Sequence, residues 1–355
     1  MLKLFTPFQK NGLYLKNHLV MAPMTRCRAI HNIPNELMAE YYGQRSSTGL
    51  IITEGTSPTP DGLGYARIPG IFSQAQIDGW KKTTKAVHAG GSKIFIQLMH
   101  TGRIGHSDNL PDGAELVGAS SIKAAGQIYT DNKGMQDHDV PKELTTPKVK
   151  EVVEGFVKAG QNAVEAGFDG VELHAANGYL FEQFLNPLIN TRTDAYGGSI
   201  EKRASLLLEV AAKSAASIGK EKVGVRFSPY SQAGDLPPYD PSEVYNTYSY
   251  LATELNKIGI AYIHINTNEK TDPKTLEVIR KNFQGTIIQC SGLDAKTGEV
   301  LLVNGSVDLI AIGRAFISNP DLPARFEKNA PLNDIDFSKA FSADAKGYTD
   351  YPTLN

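Results

Sequence analysis

Eight short β-branched apolar runs, most of them followed by helix-capping or helical signals, predict an α/β fold built as a single (β/α)8 TIM barrel. The runs are HLVMAP at 18–23, LIITE at 50–54, KIFIQLMH at 93–100, FDGVELH at 168–174, KVGVRFSP at 222–229, IAYIHIN at 260–266, GTIIQCSG at 285–292 and VDLIAIGR at 307–314. Near-continuous apolarity is what a strand needs when helices cover its sheet, and eight is the number at which such a sheet closes on itself.

The elements follow in order. Residues 1–18 alternate apolar and polar around Asn11-Gly12, the sequence of a tight hairpin, and this hairpin is expected to plug the barrel floor. Thr146 and Pro147 offer an N-cap and a first-turn proline ahead of Val149, Val152, Val153, Phe156 and Val157 at helical spacing, and that helix should stop near Gly167. Asp240-Pro241-Ser242-Glu243 combines a cap, a proline and a glutamate, opening a helix that ends around Gly259; Asp272-Pro273 and Asp294-Ala295 open two more. Residues 101–145 break the pattern. They are rich in Gly, Asp, Pro and Ser without sustained periodicity, and are read as a long lid inserted after the third strand, over the C-terminal face. No linker or charge block divides the chain, so residues 1–355 are read as one domain.

Composition narrows the function. Hydrophobic residues at 41% and charged residues at 21% are ordinary globular usage. A net charge of −2 without a basic stretch argues against nucleic acid and leaves a small molecule as partner. The two cysteines, Cys27 and Cys290, lie far apart, too few for a disulfide framework or an iron–sulfur cluster, and suit a reducing compartment. The N-terminal stretch MLKLFTPFQKNG reaches Thr6 and Pro7 before a signal-peptide core could form, and no run is long enough to span a membrane. A cytoplasmic protein is expected.

The chemistry centres on GFDGVELHAANGYLFEQFL at 167–185, where an apolar strand ends and His174, Asn177 and Tyr179 follow within six residues. Taken singly, these are also what a core histidine, a turn asparagine and a helix-start aromatic look like; together, at a strand's C-terminal end, they point to a pocket. The same barrel face collects Pro23, Met24, Thr25, Gly55, Gln97, His100, Arg226, Gly292, Gly313 and Arg314. Only Glu54 and Glu172 lie near strand ends, which disfavours a metal site, and neither a facing carboxylate pair nor a lysine at the mouth suggests a glycosidase or a Schiff-base lyase. An amide at Gln97, a guanidinium at Arg226 and a hydroxyl at Thr25 suit a planar heteroaromatic cofactor. The last two strands end in CSG and IGR, where glycines admit a phosphate and Arg314 adds charge. FMN satisfies both halves of this pattern.

Along essentially its whole length the sequence resembles the old yellow enzyme family of FMN-dependent ene-reductases. The stretches that carry the resemblance are APMTR at 22–26, EYYGQRSSTGLIITEGT at 40–56, GYARIPGIFS at 64–73, FIQLMHTGRIGH at 95–106, GFDGVELHAANGYLFEQFLNPLINTRTDAYGGSIEKRA at 167–204, GRAFISNPDLP at 313–323 and YTDYPTL at 348–354. The resemblance implies Pro23, Met24, Thr25, Gly55, Gln97, Arg226, Gly292, Gly313 and Arg314 around non-covalent FMN, with Thr25 near the reactive N5 and Gln97 at the pyrimidine edge. It implies that His174 and Asn177 bind a substrate carbonyl oxygen, that Tyr179 delivers a proton, and that Tyr65, Met99 and Tyr351 complete the substrate pocket. The implied activity is that of an NADPH dehydrogenase-type ene-reductase, using NADPH or NADH to reduce enones, nitroalkenes or nitroesters, as a monomer or homodimer. A nitroester, nitroaromatic or quinone reductase on the same flavin fold is the neighbouring reading; a redox-silent barrel lyase or isomerase is the reading from another class. Two departures stand out: Met99 replaces the tryptophan usual after FIQL, and Cys27 lies two positions past Thr25, so it is not the flavin-side cysteine of the family's other main branch.

Overall fold

The structure, a computed structural model, describes residues 2–354. Strands Leu19–Met21 (β1), Leu50–Thr56 (β2), Lys93–Leu98 (β3), Gly170–Ala175 (β4), Val223–Phe227 (β5), Tyr262–Asn266 (β6), Thr286–Cys290 (β7) and Leu309–Ile312 (β8) form a closed barrel, six of them inside an expected run and β2 and β4 extending past theirs by two residues and by one. Parallel pairing runs from neighbour to neighbour, and β8 closes onto β1 through Ile310 and Leu19. Two features of the register matter for the site. Gln97 of β3 lies abreast of Glu172 of β4, and His174, Arg226 and His264 lie abreast across β4, β5 and β6. Because paired residues on neighbouring strands point to the same side, each row delivers its polar groups together.

The hairpin forms as expected. Phe8–Lys10 pairs antiparallel with Leu13–Leu15, and Asn11 (φ 48°) and Gly12 (φ 82°) both adopt the left-handed conformation such a two-residue turn demands. Phe8, Leu13 and Leu15 are buried against Val20, Leu50, Phe95, Tyr262, Ile288 and Leu309, which seals the barrel's N-terminal end.

Helices Glu36–Gln44 (α1), Gln74–Ala89 (α2), Thr146–Glu165 (α3), Leu180–Leu185 (α4), Ile200–Ile218 (α5), Pro241–Ile258 (α6), Pro273–Asn282 (α7) and Ala295–Val303 (α8) occupy the intervals between the strands, and Arg314–Ser318 (α9) and Leu322–Glu327 (α10) follow β8. Asp240, Asp272 and Asp294 cap as expected, accepting from Ser242, Lys274 and Thr297, and α6 stops at left-handed Gly259 (φ 78°). The cap of α3 is corrected by one residue. Thr145, in extended conformation, accepts from the Lys148 N–H, and Thr146 is already helical. Among the described residues no helix is long and apolar enough to cross a membrane.

Residues 101–145 carry secondary structure of their own. Gln127–Thr130 pairs antiparallel with Gly134–Asp137, and Val117–Gly118 pairs with Lys142–Glu143. Strands of two to four residues are too short to register as periodicity, which is why the sequence shows only an irregular stretch.

The chain after α10 returns to the barrel mouth and is held there by three buried guanidiniums. Arg26 donates to the carbonyls of Ala340 and Gly347, Arg28 to those of Lys339 and Ala340, and Arg45 to that of Tyr348 as well as to those of Phe316 and Ile317 of α9. Arg28, Tyr348, Tyr41 and Arg45 form one continuous stack. The Arg28 guanidinium lies 4.5 Å from the Tyr348 ring centroid, the two tyrosine rings stack at 4.0 Å with planes 7° apart, and Arg45 lies 3.6 Å from Tyr41. Planar cations on aromatic faces suit such a buried position better than lysine would.

Candidate active site

Two cavities open at the C-terminal mouth of the barrel, of about 840 Å³ and 780 Å³, and share Thr25 and Phe341 on their walls. Both fall in the size range of small-molecule sites.

The larger lobe is lined by Pro23, Met24 and Thr25 beyond β1, by Arg226 of β5, by Ser291 and Gly292 beyond β7, and by Gly313 and Arg314 beyond β8. Seven of the nine residues expected around the cofactor therefore share one wall. The other two lie elsewhere. Gln97 is buried and donates through Nε2 to Glu172 Oε1 (2.8 Å), whose other oxygen meets His264 Nδ1 at 2.9 Å. Burial works against that charge pair, yet His264 and Arg226 hold the Glu172 carboxyl below its usual range, and Glu172 in turn lifts His264. Gly55 faces Met99, where a Cβ would collide with the thioether sulfur.

The donor set of this lobe fits a cofactor with a polar planar ring and an anionic tail. Arg226 Nε is buried without a partner among the described residues, although Nη2 lies 3.9 Å from Cys290 Sγ. An orphaned buried guanidinium nitrogen is costly unless a ligand satisfies it. Ser291 (φ 88°) and Gly292 (φ 63°) are consecutive left-handed residues, and since a Cβ on Gly292 would meet nothing within 4 Å, glycine is needed there for conformation rather than space. Arg314 stands exposed at the rim. These residues fit FMN.

The smaller lobe is mainly apolar, with Tyr65, Ala66, Ile128, Tyr129, Met135, Tyr179 and Phe341 on its walls. Tyr179 Oη donates to Tyr65 Oη at 3.1 Å, and the His174 ring lies edge-on to Tyr179 at 4.9 Å. Burial raises the Tyr179 phenol above its ordinary value, against the pull of Tyr65 and Arg226, so it holds its proton at neutral pH. Burial and the charges of Arg226 and His264 push His174 well below the usual imidazole range, so it is neutral, and its Nδ1 has no partner among the described residues.

Asn177 lines the larger lobe in a left-handed conformation (φ 56°). Its N–H donates to Ser228 Oγ (2.8 Å) and its Oδ1 accepts from Asn266 Nδ2 (3.2 Å). With the oxygen held, the amide's own N–H groups are left for a ligand. Cys27, Arg67, Asn177 and Ser291, all with positive φ, line the two lobes, a concentration of backbone strain where a ligand would sit. The Cys27 thiol, on the wall of the smaller lobe, is pushed up to about 12 by burial and by Glu54, so it stays protonated.

Three residues expected in the substrate pocket line neither lobe: Met99, Tyr351 and His174, the last buried edge-on to Tyr179. Met99 is buried in a small cluster with Leu63 and Ile68, beneath Tyr65 and Tyr179. A register irregularity between Ile52 and Gly55 and a bond from the Met99 N–H to Thr56 O draw it into the floor. Tyr351 accepts the Asp336 N–H through its hydroxyl (3.1 Å), and the same segment contributes Phe337, Ser338 and Phe341 to the cavities instead. Tyr129, Met135 and Phe341 escaped the sequence reading. The turn Asp131-Asn132-Lys133-Gly134 between alternating residues was a usable sign of the first two; a phenylalanine in a polar, aperiodic tail gives none.

Comparison with known proteins places this geometry. The profile of the NADH:flavin oxidoreductase / NADH oxidase family matches residues 3–333. The chain is 40% identical over 361 aligned positions to 12-oxophytodienoate reductase 1 of Oryza sativa subsp. japonica, covering 99% of this chain and 93% of the relative. It superimposes on morphinone reductase with a TM-score of 0.95 at 42% identity, covering 99% and 96% of the two chains. An old yellow enzyme homologue from Zymomonas mobilis superimposes with a TM-score of 0.94 at 38% identity, covering 99% of this chain and 100% of that one.

Proposed function

Because the chain belongs to the NADH:flavin oxidoreductase / NADH oxidase family, whose profile spans nearly all of it, we propose that it binds FMN in the larger lobe and reduces the activated C=C bond of α,β-unsaturated carbonyl and nitro compounds in the smaller one. The observation that carries this reading is the junction of the two lobes. There Asn177 sets a free amide on the wall of the larger lobe and Tyr179 a protonated phenol on that of the smaller, with the neutral imidazole of His174, in β4, edge-on to the Tyr179 ring.

FMN held in the larger lobe would supply the hydride chemistry, carrying a hydride from a nicotinamide, NADPH or NADH, to the β-carbon of the alkene. The nicotinamide is supported by a solved morphinone reductase structure that carries tetrahydroNAD. Arg226, with its unpartnered Nε, supplies a donor and positive charge to the ring, and the hydrogen-bonded Gln97–Glu172–His264 chain sets a carboxylate near that guanidinium. His174 and Asn177 donate to the substrate's carbonyl or nitro oxygen. Negative charge grows on that oxygen as hydride reaches the β-carbon, so their bonds strengthen in the transition state. Tyr179 then gives its proton to the α-carbon. Hydride and proton together complete the two-electron reduction, and Tyr65, 3.1 Å from the Tyr179 oxygen and open to the cavity, can restore the proton. The apolar walls of the smaller lobe exclude water and accept a hydrocarbon skeleton.

The test is an anaerobic half-reaction series. Purified protein should be yellow, its flavin should be bleached by NADPH or NADH, and 2-cyclohexenone should restore the colour with formation of cyclohexanone. Colourless protein that takes up no FMN overturns the reading.

A further inference from the structure

Glu182 of α4 is a buried carboxylate that none of the steps above uses. Its Oε2 accepts the N–H of Gly178 at 2.7 Å, both of its oxygens lie within 3.1 Å of Ser228 Oγ, and Oε1 accepts from Tyr248 Oη at 3.3 Å. Ser228 Oγ in turn accepts the N–H of Asn177. All three groups donate to Glu182, so the ionised form satisfies every one, whereas the neutral form must turn one oxygen into a donor facing other donors. The turn held in this way is under constraint. Asn177 (φ 56°) and Gly178 (φ 82°) are both left-handed, and a Cβ on Gly178 would run into the carbonyl of Ala233. The same carboxylate lies on the wall of a separate cavity of about 260 Å³, outside both lobes, with Tyr230, Pro237, Tyr239 and Lys270 around it.

We propose that Glu182 is a positioning residue for alkene reduction: its ionised form locks the turn that presents Asn177 and Tyr179, and a proton taken up through the side cavity releases it. The inference rests on the roles given above to Asn177 and Tyr179. The groups facing Glu182 do not compete for the switch. Tyr248 of α6 and Tyr239 before it are held in the protonated phenol form by burial; Glu243 of α6 is paired with Arg203 of α5, and Asp235 with Arg103; Lys270 bonds Gln232. Burial lifts the Glu182 carboxyl to about 7 against the bonds from Gly178, Ser228 and Tyr248, which places the change in the neutral range.

The experiment uses holoenzyme between about pH 6 and pH 8 with two readouts. Reoxidation of the reduced enzyme by 2-cyclohexenone should rise roughly tenfold or more with pH, since small misplacements of reacting groups cost factors of that size. Amide hydrogen exchange of segment 176–181, corrected for its intrinsic pH dependence, should slow over the same range. Glu182→Gln should flatten both profiles at the low-pH level, and Ser228→Ala, which removes one donor to the carboxylate, should move the midpoint upward. A step that persists unchanged in Glu182→Gln, or its absence in the parent, overturns the proposal; an unmoved midpoint in Ser228→Ala does so even if the first variant fails to fold. The exchange step does not depend on turnover, so it survives if Tyr179→Phe turns over enones at the parental rate, an outcome that would instead overturn the catalytic reading.

Discussion

A phenol buried against a second phenol keeps its proton at neutral pH, and on the proposed mechanism Tyr179 beside Tyr65 would release that proton only to the carbon that takes up charge next to it. Tyr179→Phe should leave flavin reduction by nicotinamide nearly unchanged while slowing reoxidation by 2-cyclohexenone by roughly 10²–10⁴-fold. Quinones, which need no proton on carbon, should suffer far less, and equal losses with every oxidant would reduce Tyr179 to a packing residue. If His174 and Asn177 act as proposed, His174→Ala or Asn177→Ala would remove a donor to the developing oxyanion, and each should cost about 2–4 kcal/mol in kcat/KM for enones with FMN still bound. These three residues were legible because a strand that stops in a run of polar groups announces itself in one dimension. Met99 and Tyr351 were not. The first depends on an irregularity in the pairing of β2 with β3, the second on how the tail folds back, and neither leaves a mark in local sequence.

At the scale of elements, the two that shape the smaller lobe are the ones the sequence concealed. The hairpin of Gln127–Thr130 and Gly134–Asp137 brings Ile128, Tyr129 and Met135 to the cavity, and it is tied to the barrel mouth by the ion pair of Asp131 with Arg67, whose guanidinium also lies 5.8 Å from the Tyr129 ring centroid. Tyr129 is half exposed, so its ring is a movable wall rather than core. Tyr129→Ala should favour bulky β-substituted enones over 2-cyclohexenone by about 1–3 kcal/mol in the ratio of kcat/KM values, the scale on which apolar pockets discriminate size. An unchanged ratio would remove the hairpin from substrate selection. The strands and the capped helices α6, α7 and α8 were readable because burial on both faces and helix-cap chemistry are written residue by residue. The hairpin and the tail take their places from long-range contacts, above all the buried arginines that grip carbonyls from Lys339 to Gly347.

For the whole molecule, the buried acids set how stability responds to pH. Glu54 accepts the Arg26 N–H and the Tyr42 hydroxyl beneath the cofactor-side wall, and burial raises it from 4.5 to about 7 despite the nearby Arg26 and Arg28 guanidiniums. A carboxyl whose folded-state pKa exceeds its unfolded value makes the native protein bind more protons than the unfolded chain between those two values. Stability therefore falls as pH rises from about 4.5 to about 7, by up to about 3 kcal/mol for a shift of this size. Glu182, raised likewise to about 7, acts in the same direction. Asp194 opposes them at the acid end, because the Arg192 guanidinium holds it well below the usual carboxylate range, and the stability it contributes is lost as pH falls through that low value. Maximal stability is thus expected in the mildly acidic range, below neutrality. Glu54→Gln keeps a side chain of the same shape able to accept from Arg26 and pair with Tyr42, but removes the proton linkage. Its thermal midpoint should match the parent near pH 5 and exceed it increasingly toward pH 8, measured on FMN-loaded protein so that cofactor loss does not contribute. Parallel curves for parent and variant across that range would mean that Glu54 does not change its protonation between the folded and unfolded states.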